Sequence, residues 1–145
     1  MRLRLIVLMM IFFTLPPLLR AETLQSTKEI SQFLETLCPS IVQGKIREVF
    51  DKIRPYWPIP AQEVDVIVYQ LENQKGQVVS RFGKPLAMER VDTLVIGDVF
   101  YREVYLLKYE KHAVAWVFTF YKPSDQWRIN SVFTSDQMND FFRKK

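Results

Sequence analysis

The sequence predicts an α+β fold in which N-terminal helices pack on the concave face of a curved four-stranded antiparallel sheet, with a short C-terminal helix. Two observations support this prediction. Apolar residues recur at helical spacing through the first half of the chain, and the pattern changes to that of strands after Pro85. Helices and strands that are segregated along the chain are typical of α+β folds, and short connections between strands favour antiparallel pairing. The chain has 145 residues, of which 48% are hydrophobic, so it can form one domain with a sizeable core.

The first 21 residues have the pattern of a secretory signal peptide. Arg2 and Arg4 precede an apolar run over residues 5–15, and the small residue Ala21 offers a cleavage site. A membrane-spanning helix needs ~20 apolar residues, whereas two prolines follow this shorter run, so we expect cleavage rather than a stable membrane anchor. The sequence therefore predicts an exported protein, periplasmic or secreted, whose single domain comprises residues 22–145.

The basic character of the chain comes mainly from that N-terminal segment. The whole chain has 20 Lys and Arg residues against 16 Asp and Glu residues, and three of the arginines lie within residues 1–21. Without them the domain has 17 basic and 16 acidic side chains, a formal net charge of +1. This near balance gives no case for nucleic-acid binding, which needs a concentrated basic surface.

The first helical region begins at a capping box formed by Ser26 and Glu29. Helical spacing of apolar residues continues to Arg54, but Pro39 and Gly44 interrupt the pattern. We therefore expect either a bend or two separate helices. The stretch RPYWPIP, with three prolines, ends this region.

A further helix is predicted over residues 61–82, because Pro60 suits a first helical turn and Gly83 suits a helix end. The predicted elements that follow are strands at 86–96, 99–109, 113–121 and 127–134, and a short helix at 135–142. The turn residues of the segment PSDQ, at 123–126, indicate a hairpin between the last two strands.

The last two predicted strands have two distinct faces. If the turn pairs Lys122 with Trp127, one face carries the large rings, with Trp116 opposite Phe133 and Phe118 opposite Ser131. We expect this face to meet the helices. The other face, which would include Val132, is small and apolar, so it is either covered or an interface with a second copy or a protein partner. The candidate interface residues are Ala113, Ala115, Val117, Thr119 and Tyr121.

The order of these elements resembles the nuclear-transport-factor-2-like (cystatin-like, cone) superfamily, in particular its small exported bacterial members of uncharacterised function. The resemblance also rests on the helix end RFGKPL and on the ending YLLKYEKHAVAWVFTFYKPSDQWRINSVFTSDQMNDFF, and it covers most of residues 25–142. It implies a helical layer packed into a curved antiparallel sheet. The superfamily hosts isomerases, dehydratases, cyclases, adaptors and assembly proteins, so the resemblance does not fix a function. No catalytic residue of the superfamily can be matched here.

The position of Glu103 depends on the hairpin that joins the second and third predicted strands. A two-residue turn at Lys111-His112 would pair Glu103 with Phe120 and place the carboxylate among aromatic rings, where it could serve as a general base. A three-residue turn would direct it outward. Of these two positions we expect the outward one, with a solvated glutamate at the edge of the sheet.

Aromatic residues with a few polar tips could line a cavity at the open end of the cone and bind a small apolar ligand. The candidate residues are Tyr69, Glu103, Tyr105, Trp116 and Phe118. A chain of this length also needs such rings to complete its core, and we favour that role.

Cys38, the single cysteine, lies on an apolar helical stripe, so we expect it to be buried. His112, the single histidine, has no partners at metal-ligand spacing, and we expect neither a metal site nor a cofactor.

Three functions are compatible with these patterns. The first, which we favour because no catalytic set is recognisable, is an exported non-enzymatic module that binds a protein partner or its own copy through the sheet. The second is a small-molecule binder or an isomerase-like or hydrolase-like enzyme, which needs an open cone holding a buried carboxylate or tyrosine hydroxyl. The third, a cytoplasmic adaptor, requires that the N-terminal segment is not a signal peptide.

Overall fold

The computed structural model describes residues 21–142, which form three α-helices followed by one antiparallel sheet with strand order β1-β2-β3-β4. The helices are α1 (Thr27–Val42), α2 (Ile46–Ile53) and α3 (Ala61–Phe82), with a 3₁₀ turn at Arg54–Tyr56. The strands are β1 (Pro85–Ile96), β2 (Phe100–Tyr109), β3 (Ala113–Tyr121) and β4 (Arg128–Ser135), and a second 3₁₀ turn spans Met138–Phe141. The predicted α+β fold class is confirmed.

The N-terminal segment that predicts export lies, apart from Ala21, outside the described residues, so the signal peptide stays a prediction. Among the helices formed by residues 21–142, none combines the length and the apolar character needed to cross a membrane.

Helix α1 begins where the capping box predicted it. Ser26 Oγ accepts a hydrogen bond from the Glu29 amide at 3.2 Å, and the Glu29 carboxylate accepts one from the Gln25 amide at 2.7 Å. The break between α1 and α2 occurs at Gly44, which has φ +67°, and not at Pro39, which lies inside α1. Because glycine adopts this left-handed backbone without steric cost, Gly44 allows the chain to turn directly into α2.

The end of α3 is joined to the β2–β3 hairpin. Gly83 has φ +86°, and a side chain at this position would collide with that of Glu110. The amide of Lys111 donates to the carbonyl of Phe82 at 2.9 Å, while the Glu110 carboxylate accepts a hydrogen bond from the amide of Lys84 at 2.9 Å. These contacts satisfy backbone groups at the helix end and fix α3 relative to the sheet.

The main core lies between the helices and the concave face of the sheet, as the large rings of β3 predicted. Trp116, Phe118 and Phe120 are all buried in it. The buried helical residues include Ile30, Leu34, Leu37 and Ile41 of α1, Val49, Phe50 and Ile53 of α2, and Val64 and Val68 of α3. Cys38 is half-buried beside this core, so its expected burial is only partial.

The β2–β3 hairpin has a two-residue turn at Glu110-Lys111, one position earlier than the alternative considered from the sequence. The amide of Tyr109 donates to the carbonyl of His112 at 2.8 Å, and Glu103 pairs with Phe118 rather than with Phe120. Moving the turn by one residue shifts the pairing by two, so Glu103 still faces the large rings. The expectation of a solvated Glu103 is therefore wrong, since the residue is 0% exposed.

The β3–β4 pairing contains a bulge that the sequence analysis did not anticipate. Phe120 pairs with Ile129 as predicted, but the register then shifts by one residue, and Phe118 pairs with Val132. An extra residue in one strand reverses the direction of the side chains beyond it. Val132 is consequently buried in the core and Phe133 lies on the convex face with 44% of its surface exposed, so the predicted positions of these two residues are wrong.

The chain after β4 is less helical than predicted. Instead of a helix over residues 135–142, it forms only the 3₁₀ turn Met138–Phe141. Strand β4 extends through Ser135, and the ring of His112 hydrogen-bonds with the carbonyl of Asp136 through Nε2 at 3.0 Å. This contact holds the backbone at the position where the predicted helix would have begun.

Candidate functional site

A buried carboxylate lies in the concave face of the sheet. Glu103 is on β2 between Tyr101 and Tyr105, and side chains two residues apart on a strand point to the same face. The hydroxyl of Tyr101 donates to Glu103 Oε1 at 2.7 Å, and the hydroxyl of Tyr105 donates to Oε2 at 2.9 Å. Both carboxylate oxygens therefore accept hydrogen bonds from neighbouring tyrosines.

Two further donors reach Glu103 from α1 and β1. Ser31 of α1 donates its hydroxyl hydrogen to Oε1, and the guanidinium of Arg90 on β1 lies 3.3 Å from the same oxygen. Arg90 also donates to Ser31 Oγ at 3.0 Å. Because the Arg90 side chain is 42% exposed, it lies between the buried carboxylate and solvent. We call Ser31, Arg90, Tyr101, Glu103 and Tyr105 the Glu103 cluster.

The cluster favours neutral tyrosines and a charged arginine. Burial raises the pKa of Tyr105, and the hydrogen bond to Glu103 and the charge of Glu103 raise it further. Burial likewise raises the pKa of Tyr101, again with a contribution from the Glu103 hydrogen bond. The negative charge of Glu103 raises the pKa of Arg90. At neutral pH these groups therefore keep the protons that they donate to the carboxylate.

Cys38, on α1, has the properties of a structural thiol. Burial raises its pKa to about 11, and the charges of Glu35 and Glu103 contribute to this increase. The thiol also donates to the carbonyl of Leu34 at 3.5 Å. Since the thiolate is the reactive form of cysteine, Cys38 is not activated as a nucleophile.

The Glu103 cluster closes on itself rather than opening onto a cavity. A general base needs an oxygen that a substrate proton can approach within hydrogen-bonding distance. Glu103 Oε1 accepts three hydrogen bonds and Oε2 accepts one, and Glu103 does not line the cavities described below. The geometry favours a structural role, in which the carboxylate joins α1, β1 and β2 inside the core.

The structure brings together four of the five candidate ligand-lining residues. Glu103, Tyr105, Trp116 and Phe118 lie together on the concave face, with the Tyr105 and Phe118 ring centroids 6.0 Å apart and those of Trp116 and Phe118 6.2 Å apart. Trp116 also borders a cavity of about 70 Å³. Tyr69 lies apart from them on α3, where it is 68% exposed. The three rings are packed as core, the role favoured from the sequence, whereas Glu103 is buried among them against expectation.

Part of the convex face of the sheet is covered by the chain itself. Ala115 and Val117 are 0% exposed, and Met138 and Phe141 pack against the cluster that they form with Val104. The 3₁₀ turn at the C-terminal end thus covers two of the candidate interface residues. The sequence left two alternatives for this face, namely that it is covered or that it is an interface. At this end of the sheet, the chain itself covers it.

The other end of the convex face is open. Here a groove of about 200 Å³, which we call the outer groove, is lined by Leu94, Ile96, Phe100, Arg102, Thr119, Asn130 and Ser131. Ile96 is 68% exposed, and Tyr121, whose ring packs 5.1 Å from that of Phe100, is 40% exposed. Arg102 Nε donates to Thr119 Oγ1 at 3.0 Å, so this arginine is held against the groove floor. A second groove of about 280 Å³, bordered by Phe133 and Phe141, also includes Leu94 and Arg102.

Sequence reasoning missed three members of the Glu103 cluster. Tyr101 could have been found, because it alternates with Glu103 and Tyr105 along one strand. Ser31 and Arg90 have no such signal, since they are 72 and 13 residues from Glu103 in the chain and meet it only through tertiary packing.

Comparison of the chain with protein-family models, with curated proteins and with solved structures gave no significant match. Within residues 21–142, no group of three or more His, Cys, Asp or Glu side chains is arranged to hold a metal ion.

Proposed function

We propose that this protein is an exported, non-enzymatic interaction module that self-associates through the outer groove of its sheet. One observation carries the proposal. The chain covers one apolar end of the convex face with Met138 and Phe141, and it leaves the other end open, with Ile96 68% exposed. Export rests on the signal-peptide pattern of residues 1–21, and the cone-superfamily resemblance remains part of this proposal.

The outer groove has the features of an interface between like subunits. Contiguous apolar surface on a soluble domain marks interaction sites, and here Ile96, Tyr121 and Phe133 are each at least 40% exposed on or beside the groove. Strand β1 is an edge strand of the sheet, and its last residues flank the groove, so pairing could extend across two copies. A formal charge near +1 for residues 22–145 opposes self-association only weakly.

The molar mass of residues 22–145 in solution, measured by size-exclusion chromatography with light scattering, tests this proposal. We expect a concentration-dependent dimer. Ile96→Lys should yield a monomer, because a charge in the groove would be desolvated on association. Val79→Lys is the matched control, since Val79 is 38% exposed on α3, and it should leave the dimer intact. A wild-type monomer at every concentration would overturn the proposal.

A second candidate function, binding or conversion of a small apolar ligand within the cone, rests on the burial of Glu103 beside two tyrosine hydroxyls. The complete burial of Glu103 and its absence from the linings of the cavities described weigh against a catalytic role. A thermal-shift screen with small apolar ligands tests this alternative. A ligand that raises the Tm of the wild type but not that of Glu103→Gln would support it, whereas equal shifts in both proteins would remove Glu103 from the binding site.

A further inference from the structure

Helix α3 stands away from the sheet along most of its C-terminal half. Between Val68 and Phe82 the helix has no buried residue, although both of those residues are buried. The helix is thus anchored at Val68 and Phe82, with Leu71 also packed against the core, and it leaves a space along the turns between Leu71 and Phe82. Residues 67–82 span about 22 Å at the helical rise of ~1.5 Å per residue.

This space is a trough between α3 and the edge strand β4, which we call the α3–β4 trough. It comprises a groove of about 330 Å³ at the Ile67 end, a groove of about 340 Å³ at the Arg81 end, and the cavity of about 70 Å³ between them. Gln74 of α3 and Thr134 of β4 line all three. The two grooves therefore meet at Gln74 and Thr134 and run along α3 and β4, while the cavity lies on their inner side, where α1, α2, β2 and β3 also line it.

The β4 wall of the trough is formed by the edge of the strand and not by one face of it. Val132, Phe133 and Thr134 line one groove, and Thr134, Ser135 and Asp136 line the other. Successive side chains of a strand point to opposite faces, so consecutive residues can border one groove only along the backbone edge. Because β4 is the last strand of the sheet, every second residue directs its N–H and C=O groups toward this side.

Another segment of the chain pairs with Trp127, the residue immediately before β4. Leu24 and Trp127 form an antiparallel bridge, in which the Leu24 amide donates to Trp127 at 3.0 Å and the Trp127 amide donates to Leu24 at 2.8 Å. The chain then diverges, since the Glu22 amide donates to the carbonyl of Pro55 at 2.7 Å. Strand addition thus begins at Trp127 and is not continued by this segment along β4.

The helical wall of the trough has the chemistry that suits a peptide backbone. Gln70, Gln74 and Gln77 line it, and a glutamine amide can both donate to and accept from a peptide group. Leu71 and Val78 supply apolar contacts beside them. The charged side chains at the trough are engaged, because Arg81 pairs with Asp136 at 3.6 Å and Lys75 donates to the carbonyl of Gly44 at 3.1 Å.

We propose that the α3–β4 trough binds an extended, uncharged peptide segment of a partner protein by strand addition to β4. The peptide backbone pairs with the free edge of β4, alternate apolar side chains enter the space beneath Leu71 and Val78, and the glutamines of α3 contact the peptide groups. The trough shares no lining residue with the outer groove, although Phe133 borders both the trough and the second convex groove, and the proposal does not depend on self-association. The residues of the β4 wall that border the trough, 132–136, can pair with about five peptide residues.

A phage-displayed library of random octapeptides, panned against residues 22–145, is the probe for this site. We expect enriched sequences with apolar residues at every second position and few charged residues. Enrichment of sequences with helical spacing, or no enrichment, would overturn the proposal. The octapeptide that binds most tightly is then synthesised in two N-methylated forms. One form carries methyl groups on the odd-numbered amides and the other on the even-numbered amides. Methylation of one set should abolish binding in fluorescence anisotropy and methylation of the other should not, whereas tolerance of both sets would exclude strand addition.

Two neighbouring substitutions on α3 locate the site. Gln74→Arg places bulk and charge in the trough and should weaken binding of the selected octapeptide by about tenfold. Asn73→Arg, at an adjacent exposed position, should change it by less than about twofold. Equal effects of the two would place the peptide elsewhere. The Ile96→Lys variant should bind the octapeptide with the affinity of the wild type. Peptide binding and self-association can therefore fail independently of each other.

Discussion

The two faces of the sheet differ in which residue type they place against its usual preference: the concave face buries a charged residue, and the convex face exposes apolar ones. The concave face buries a charged residue, Glu103, and surrounds it with donors from α1, β1 and β2. The convex face leaves apolar residues such as Ile96 in contact with solvent. The donors come from three elements and Glu103 does not line the cavities described, a geometry that favours a structural role for this carboxylate. The Glu103 cluster is satisfied by groups of the chain itself, whereas part of the convex face is left uncovered.

The physical reason for the difference is the cost of each arrangement. A buried carboxylate without partners would cost several kcal/mol, so its donors must be present in the folded monomer. Exposed apolar surface costs only about 25 cal/mol per Å². A monomer can therefore tolerate exposed apolar surface until a partner covers it.

The largest expected effect is that of removing the buried carboxylate. Glu103→Ala should lower the free energy of unfolding by roughly 3 kcal/mol, because the buried Tyr101 and Tyr105 hydroxyls lose their acceptor and a cavity is left. Urea unfolding followed by fluorescence measures the change. The control is Glu89→Ala, whose exposed carboxylate pairs with Lys108 at 2.9 Å and should contribute less than about 1 kcal/mol. Similar losses in both variants would contradict a special role for Glu103.

The covered end of the convex face should be intermediate in its effect. Phe141→Ala removes a ring that packs against Ala115 and Val117, and we expect a loss of about 1.5 kcal/mol of stability. The adjacent Phe142 is 77% exposed, so Phe142→Ala should cost less than about 0.5 kcal/mol. Thermal and urea unfolding of the two variants make the comparison. If both are neutral, the 3₁₀ turn does not contribute to the fold.

Alkaline pH should weaken the interior of the fold. The folded pKa values of Tyr101 and Tyr105 are raised, so these groups lose protons more readily in the unfolded chain. Their stabilising contribution is complete below the unfolded pKa of about 10 and is lost as the pH rises through the folded pKa values. The midpoint of urea unfolding should therefore be lower at about pH 11 than at about pH 8. The difference between the two pH values should be smaller in Tyr105→Phe than in the wild type. An equal fall in that variant would assign the effect to other groups.

The smallest expected effect concerns Cys38, which reports on the interior without supporting it. With its pKa raised to about 11, the thiol should react with an aromatic disulfide at pH of about 8 at least tenfold more slowly in the folded protein than in urea, to order of magnitude. Absorbance of the released thiolate measures the rates. Equal rates would show that the core around α1 opens freely.

Much of the fold was predictable because local signals agreed with the tertiary structure. The capping box at Ser26, the helix end at Gly83 and the turn after Tyr121 each fall where the sequence placed them. The expected outward position of Glu103 was wrong, because turns of two and three residues fit the same sequence and the pattern does not fix the register. The bulge in β4 was missed because one extra residue leaves the composition of a strand unchanged.

The candidate sites were less predictable than the elements, because they depend on pairings distant in sequence. Nothing near Ser31 or Arg90 in the chain indicates that both contact Glu103. The interface candidates on β3 were identified from their small apolar side chains, but alternation could not show that Phe141 would cover some of them. The α3–β4 trough depends on how far a helix stands from a strand, which no local pattern encodes.

Arg90 gives the Glu103 cluster a consequence for protein engineering. Its guanidinium is the most exposed member of the cluster and lies between the buried carboxylate and water. Truncation at this one edge-strand position, as in Arg90→Ala, would open a passage to a carboxylate already flanked by two tyrosine hydroxyls and a serine. The scaffold is thus one substitution away from an accessible acid–base group, which makes it a starting point for designing an active site in a domain that we propose evolved to bind.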